Sequence, residues 1–278
     1  MLNKRVKILH TGIDAFTHKE ALDKIRLFLS SSQGHQVVTL NSEMAVRSQE
    51  DEEFRDIINS ADLSVPDGMG ILCAASFLKR KKDRFLSDCA SMLLTPFYAI
   101  FSPEKITEVL PEKISGIDLI HAICASDFSK GKRIYLVGAR SGVALKAGEA
   151  LKRKYPQIEI VGAEEGISKN FSRQENERLV GRINSQAPDI IFVALGAPRQ
   201  EKWISENLKK MPSVRVAMGV GGSFDVISGN IRRAPGFFQA HNLEWFWRLL
   251  LEPKRLGRIY NASFRFCWLI FRSRKDKI

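Results

Sequence analysis

The chain has 278 residues, enough to bury one large core or two closely packed lobes. Its 44% apolar and 27% charged residues fit an ordinary globular protein, and the formal net charge of +12 favours anionic partners: nucleic acid, anionic lipid or phosphorylated substrates. The longest uncharged run, Cys89 to Pro103, is shorter than the roughly 20 apolar residues of a membrane span, and the basic start of the chain lacks the apolar stretch of a signal peptide. Cys73, Cys89, Cys124 and Cys267 form no C-x-x-C pair and lie at no metal-ligand spacing from histidine, so four reduced thiols and no metal site are expected.

The elements alternate. Gln36 to Leu40 reads as a strand running into Asn41, followed by a helix from Ser42 to Asn59. Leu63 to Val65 is a short strand that runs into Pro66-Asp67-Gly68-Met69-Gly70. A carboxylate between proline and glycine just past a strand sits on a stiff turn at the mouth of a sheet, where it either makes the turn or does chemistry. Residues 79–113 break the pattern: Lys79-Arg80-Lys81-Lys82 is a basic cluster, and Phe85 to Phe101 is rich in Leu, Met, Phe and Tyr. An added helical segment that packs on the body fits this stretch, as does one that touches lipid.

Arg133 to Val137 is the next strand, ended by Gly138, with a helix from Gly142 to Tyr155 stopped by Pro156. Ile158 to Val161 is a strand ended by Gly162. A polar helix spans Ser172 to Ser185, with Ser172 and Glu175 placed as a capping box. Ile190 to Leu195 is a fully apolar strand ended by Gly196, and Pro198 suits the first turn of a helix reaching Lys210. Val214 to Val220 is the last strand, ended by Gly221-Gly222. Continuous apolar strands alternating with helices predict an α/β fold with a parallel sheet covered on both faces, its ligands at the carboxyl ends of the strands. Gly138, Gly162, Gly196, Gly221 and Gly222 mark those ends, where glycine either lets backbone approach a phosphate or only makes a tight turn. No G-x-G-x-x-G follows a strand, which argues against a dinucleotide cofactor.

From Arg248 onward nine basic residues face two acidic ones, a net of +7. Trp245, Trp247, Tyr260, Phe264, Phe266, Trp268 and Phe271 interleave with them. Three readings of this tail stay open: an interfacial helix on an anionic membrane, a nucleic-acid-binding element, or a helix docked on the body. No recognised nucleic-acid motif supports the second. The five histidines are scattered and carry no assigned role.

Seven stretches then combine: Thr39-Leu-Asn41, Ala61 to Gly70, Ser115 to Leu119, Ala194 to Trp203, Gly219 to Asp225, Arg233-Ala-Pro235, and Leu243 to Arg248 running into Glu252 to Arg258. In that order the chain resembles the WecG/TagA/CpsF glycosyltransferases over nearly its whole length. The resemblance implies a Rossmann-like catalytic body over residues 1–244, with 79–113 as an extra segment, and a basic, aromatic-rich helical appendage over 245–278 that meets the membrane. It implies inverting transfer of N-acetylmannosamine, its uronic acid or a related hexose from a UDP-sugar to an undecaprenyl-diphosphate-linked N-acetylglucosamine, in the cytoplasm at the inner face of the plasma membrane. Asp67 is then the general base, with Thr39, Asn41 and Gln200 beside it. Gly68, Lys113, Gly138, Gly221, Gly222, Asp225, Arg233, Arg248, Arg255 and Arg258 are expected to contact substrate, the last three arginines binding phosphates. The expected partners are the donor, the lipid-linked acceptor and an anionic membrane surface, with no nucleic acid; a homo-oligomer stays open.

The chemistry fits this expectation. Inversion needs a base for the acceptor hydroxyl, and charge gathers on the leaving diphosphate. The sequence has no Asp-x-Asp for a metal, so arginines and helix N-termini are the available substitutes, with no cofactor required. Lys113 stands where the family usually has arginine, and Gly166-Ile167-Ser168 where it has Gly-Tyr-Phe, whose aromatics are able to stack on uracil; both departures bear on base recognition and on which donor is used. A non-catalytic accessory to a membrane glycosyltransferase is the alternative.

Overall fold

The computed structural model describes residues 5–80, 87–92, 94–95, 102–165, 172–240, 244–253 and 256–275. A hairpin that periodicity did not predict comes first: β1 (Arg5–Ile8) pairs antiparallel with β2 (Thr11–Asp14). Six strands then form one parallel sheet: β3 (His35–Leu40), β4 (Leu63–Pro66), β5 (Arg133–Gly138), β6 (Glu159–Glu164), β7 (Ile190–Ala194) and β8 (Val216–Gly219), in the order β4-β3-β8-β7-β5-β6. The α/β expectation therefore holds.

Alternation of side chains sorts the helices between the faces. Val37, Leu136, Phe192 and Met218 share a core with α1 (His18–Leu29), α5 (Gly116–Ala125), α6 (Val143–Lys154) and α9 (Ser223–Ile227). Their neighbours Val38 and Leu40 point the other way, into a cluster with α2 (Ser42–Arg47), α3 (Glu52–Ser60) and α4 (Met69–Arg80). On that same side Val137, Ile191 and Ala217 pack against α7 (Arg173–Ser185) and α8 (Arg199–Asn207). Connections that step one way across the sheet lie on one face and those that step back lie on the other, as a single crossover hand requires. At the carboxyl ends, β3 turns into α2 on one face while its neighbour β8 turns into α9 on the opposite face. Connections that diverge in this way open a crevice between the two strand ends.

Three details differ from the predicted elements, each for a local reason. The helix expected over Ser42 to Asn59 is two helices, because the Asp51 side chain accepts from Phe54 N at 3.0 Å and restarts the turn. The strand expected to end at Val161 runs to Glu164, with a register shift against β5 between Ile134 and Tyr135. Gly162 faces the Tyr135 ring there, where any Cβ would collide. The capping box at Ser172 and Glu175 forms as expected, and a second one at Thr17 and Glu20 starts α1.

The segment after α4 is partly described. Residues 87–92 and 94–95 are helical, Ile106 and Leu110 are buried in the α4 cluster, and Lys79 pairs with Glu108. What is described of this stretch packs on the body. The tail forms α10 (Gly236–Ala240), α11 (Glu244–Leu251), α12 (Leu256–Tyr260), a π-helical turn (Asn261–Arg265) and α13 (Phe266–Arg272). Phe266 and Ile270 insert into the core formed by α2 and α4. Leu256, Tyr260, Phe264 and Trp268, spaced four residues apart, are each more than half exposed. No helix among the described residues is long and apolar enough to cross a membrane.

Candidate functional site

The crevice between β3 and β8 collects most of the residues singled out in the sequence. Thr39 is buried at the end of β3, and its Oγ1 donates to Gly219 O at 3.3 Å across the β3–β8 boundary. Asn41 leaves the strand and caps α2, its Oδ1 accepting from Met44 N at 3.0 Å. Asp67 follows β4, half-buried, its N–H donating to Leu40 O at 2.8 Å. That bond continues the β3–β4 register, in which Leu40 pairs with Pro66, so Asp67 stands level with Asn41. On the other flank Ile114 N donates to Pro66 O at 2.8 Å. The stiff turn expected around Asp67 is thus held from both sides, and Gly68, at φ +114°, lets the chain swing from it into α4.

The third wall is the start of α5. Ser115 caps this helix, and a Cβ added to Gly116 would meet Thr39 Oγ1 at 3.5 Å and Ser223 Oγ at 3.6 Å. Residues from β3, α5 and α9 therefore meet within ordinary contact distance. Asp118, one turn into α5, accepts from Ser115 Oγ at 2.6 Å and pairs with Arg233. Burial pushes this carboxyl up, but the Ser115 and Arg233 hydrogen bonds and the charges of Arg233 and Lys113 outweigh it and hold it below the usual carboxylate range. Lys113 in turn pairs with Glu244 at 3.0 Å, tying the first residue of α11 to the body. Lys113 and Arg233, both expected to meet substrate, are thus drawn to this rim and each neutralised by a carboxylate.

Gln200 closes the fourth side. It is 3% exposed, and its Oε1 accepts from Gly196 N at 3.1 Å and from Gly221 N at 3.0 Å. One side-chain oxygen thereby bridges the loop after β7 and the loop after β8. Its Nε2 donates to Glu201 Oε1 at 2.7 Å. The Gly221 N–H, a candidate phosphate contact, is engaged by the protein itself. Gly222 takes the N-cap position before α9, and Asp225 lies within that helix, its carbonyl accepting from Ile231 N at 2.9 Å. Gly138 ends β5 at φ +114°, where a Cβ would lie 2.6 Å from the Ala194 carbonyl, so strand packing demands glycine here whatever binds.

The arginines of the tail are less fully placed. Arg248 falls in α11 and Arg258 in α12, while Arg255 and Gly166 to Ser168 lie outside the described residues. Sequence reasoning missed Ser223, Asp118, Glu244 and Glu201 as site residues. Each lies inside or beside a matched motif, and Glu201 follows Gln200 directly. Among the described residues, no three His, Cys, Asp or Glu side chains are grouped to hold a metal. The arrangement sets Asp67 at a strand end beside Asn41, with the Lys113–Glu244 and Arg233–Asp118 pairs at the rim and the Gly196 and Gly221 amides held by Gln200.

Residues 6–95 and 102–278 match the model of the glycosyl transferase WecG/TagA/CpsF family. Three similar relatives are each named N-acetylglucosaminyldiphosphoundecaprenol N-acetyl-beta-D-mannosaminyltransferase. The protein from Bacillus spizizenii is 32% identical over 84% of this chain and 77% of its own. That from Bacillus subtilis is 29% identical over 90% and 84%, and that from Staphylococcus aureus 30% over 92% and 88%.

Proposed function

Since the chain belongs to the WecG/TagA/CpsF family and is a glycosyltransferase, we propose that it transfers N-acetylmannosamine or a related hexose from a UDP-sugar to undecaprenyl-diphosphate-linked N-acetylglucosamine, with inversion. The reading rests on one observation above all: Asp67 is pinned at the carboxyl end of β4, level with Asn41 and one strand from Thr39. In this mechanism Asp67 takes the proton of the acceptor hydroxyl while that oxygen bonds to the anomeric carbon. The bond from that carbon to the donor phosphate breaks, and UDP leaves with the electron pair. A positioned carboxylate contributes roughly 10²–10⁴-fold to such a step. Thr39 and Asn41 orient the sugars, and Gln200 holds the two loops that face the diphosphate. The tail arginines neutralise the leaving group in place of a metal, while Lys113 and Arg233, paired with Glu244 and Asp118, hold the rim of the site.

The exposed row Leu256, Tyr260, Phe264 and Trp268, with Arg272 stacked 5.3 Å from the Trp268 ring, supports attachment to an anionic membrane surface, where the acceptor resides. Each basic residue near such a surface contributes about 1 kcal/mol.

Purified protein with UDP-N-acetylmannosamine and a lipid-diphosphate N-acetylglucosamine analogue should release UDP, unimpaired by EDTA. Asp67→Asn should lower kcat by at least about 100-fold with KM little changed. Wild-type activity in that variant removes Asp67 as base, and a strict metal requirement removes the metal-free mechanism.

A further inference from the structure

Glu201 sits in the first turn of α8 and is 1% exposed. Its Oε1 accepts from Gln200 Nε2, and its Oε2 has no hydrogen-bond partner among the described residues. A carboxyl so enclosed is costly to keep, and its own backbone amide offsets only part of that cost. Its neighbour supplies the reason. An amide can turn either its oxygen or its NH₂ toward a given group, and the Gln200 amide faces two backbone N–H donors, those of Gly196 and Gly221. Only the oxygen can accept from both. With the NH₂ turned that way, donor would face donor and both bonds would be lost. An acceptor on the far side of the amide disfavours that flip, and Glu201 Oε1 is that acceptor.

The pair also fits tightly against β8. A Cβ on Gly219 would lie 2.6 Å from Gln200 Nε2 and 2.7 Å from Glu201 Oε1, so the strand must end in glycine for the two side chains to lie there. Gly219 O is the group that accepts from Thr39 Oγ1. One connected set thus runs from Glu201 through Gln200 to both loops, and past Gly219 to Thr39.

We propose that Glu201 is a positioning residue of the transfer site, selecting the one orientation of the Gln200 amide that ties the loop after β7 to the loop after β8 around the leaving diphosphate. The proposal rests on the transferase reading above for its functional half only. Burial pushes the Glu201 carboxyl up to about 7, so glutamine is close in shape and charge to the form present near neutrality.

The test compares Glu201→Gln, Glu201→Met and Glu201→Asp in the full chain. Glutamine keeps an acceptor oxygen in place, methionine removes it, and aspartate withdraws it by one methylene. Two readouts apply: hydrogen exchange at the Gly196 and Gly221 amides, and UDP affinity together with kcat and KM. Methionine and aspartate should each lose amide protection and weaken UDP binding by roughly tenfold, the scale of one or two lost hydrogen bonds, while glutamine stays within about twofold of wild type. Unchanged protection in both variants overturns the positioning role. Lost protection with unchanged UDP binding and turnover overturns its link to the site. Should wild type itself bind no UDP, the transferase reading fails while the exchange data still decide what holds the amide. Should methionine prevent folding, aspartate against glutamine makes the same comparison.

Discussion

Replacing Glu201 by glutamine should make the protein more stable at neutral and alkaline pH. Burial is the largest influence on this carboxyl and pushes it from 4.5 up to about 7, against smaller opposing effects of the Gln200 N–H and its own backbone amide. The approach from the sheet is neutral: Gln36 Nε2 on β3 donates to the Glu201 main-chain carbonyl at 3.1 Å. The folded chain therefore keeps a proton that the unfolded chain releases as pH rises from 4.5 to about 7. Wild-type stability falls through that window and levels off above it. A shift of roughly 2.5 pH units corresponds to about 3 kcal/mol. Glutamine keeps the acceptor for Gln200 and has no proton to lose. Urea denaturation of both proteins, from about pH 4 to about pH 8, should show the difference in unfolding free energy growing in favour of the variant by about 3 kcal/mol. Other carboxyls titrate alike in the two proteins and cancel in the difference. A difference that stays flat across this range would refute a buried, proton-holding Glu201.

Two further outcomes are expected. Gly138→Ala should destabilise the fold by at least about 2 kcal/mol, because it forces a side chain to φ +114° and a Cβ against the Ala194 carbonyl; thermal melting with the apparent Tm of wild type would refute the packing argument. Phe264→Glu combined with Trp268→Glu should leave the melting temperature nearly unchanged, since both sites are exposed, yet weaken binding to anionic vesicles by at least about 100-fold. Equal vesicle binding, or loss of self-association in its place, would assign the exposed row to another role.

Much of the site was legible locally. Pro66-Asp67-Gly68 after a short apolar strand marks a carboxylate at a sheet mouth, and the structure holds it there by the Leu40 and Ile114 bonds. Glycines at 138, 196 and 221 mark strand ends because only glycine takes positive φ without strain, and all three have it. The break between α2 and α3 is signalled by a single capping residue, Asp51, inside an otherwise continuous helical pattern, so periodicity alone reads one helix there. The α1 stripe of Ala21, Ile25 and Phe28 was equally available.

The sequence by itself determined the six strands of the sheet, to within a few residues at their ends, and that the sheet is parallel, since continuous apolar runs, glycine stops and caps act over a few residues. Only the tertiary structure decided what those ends face. The order β4-β3-β8-β7 brings Thr39 to Gly219 and sets Gln200 between the loops at Gly196 and Gly221, contacts that no local period encodes. The tail divides for the same reason: Phe266 and Ile270 found a core to enter, while Tyr260, Phe264 and Trp268, no less apolar in the sequence, were left facing outward. A side chain's face on a helix is fixed by its spacing, but whether that face is covered depends on which element the rest of the chain sets against it.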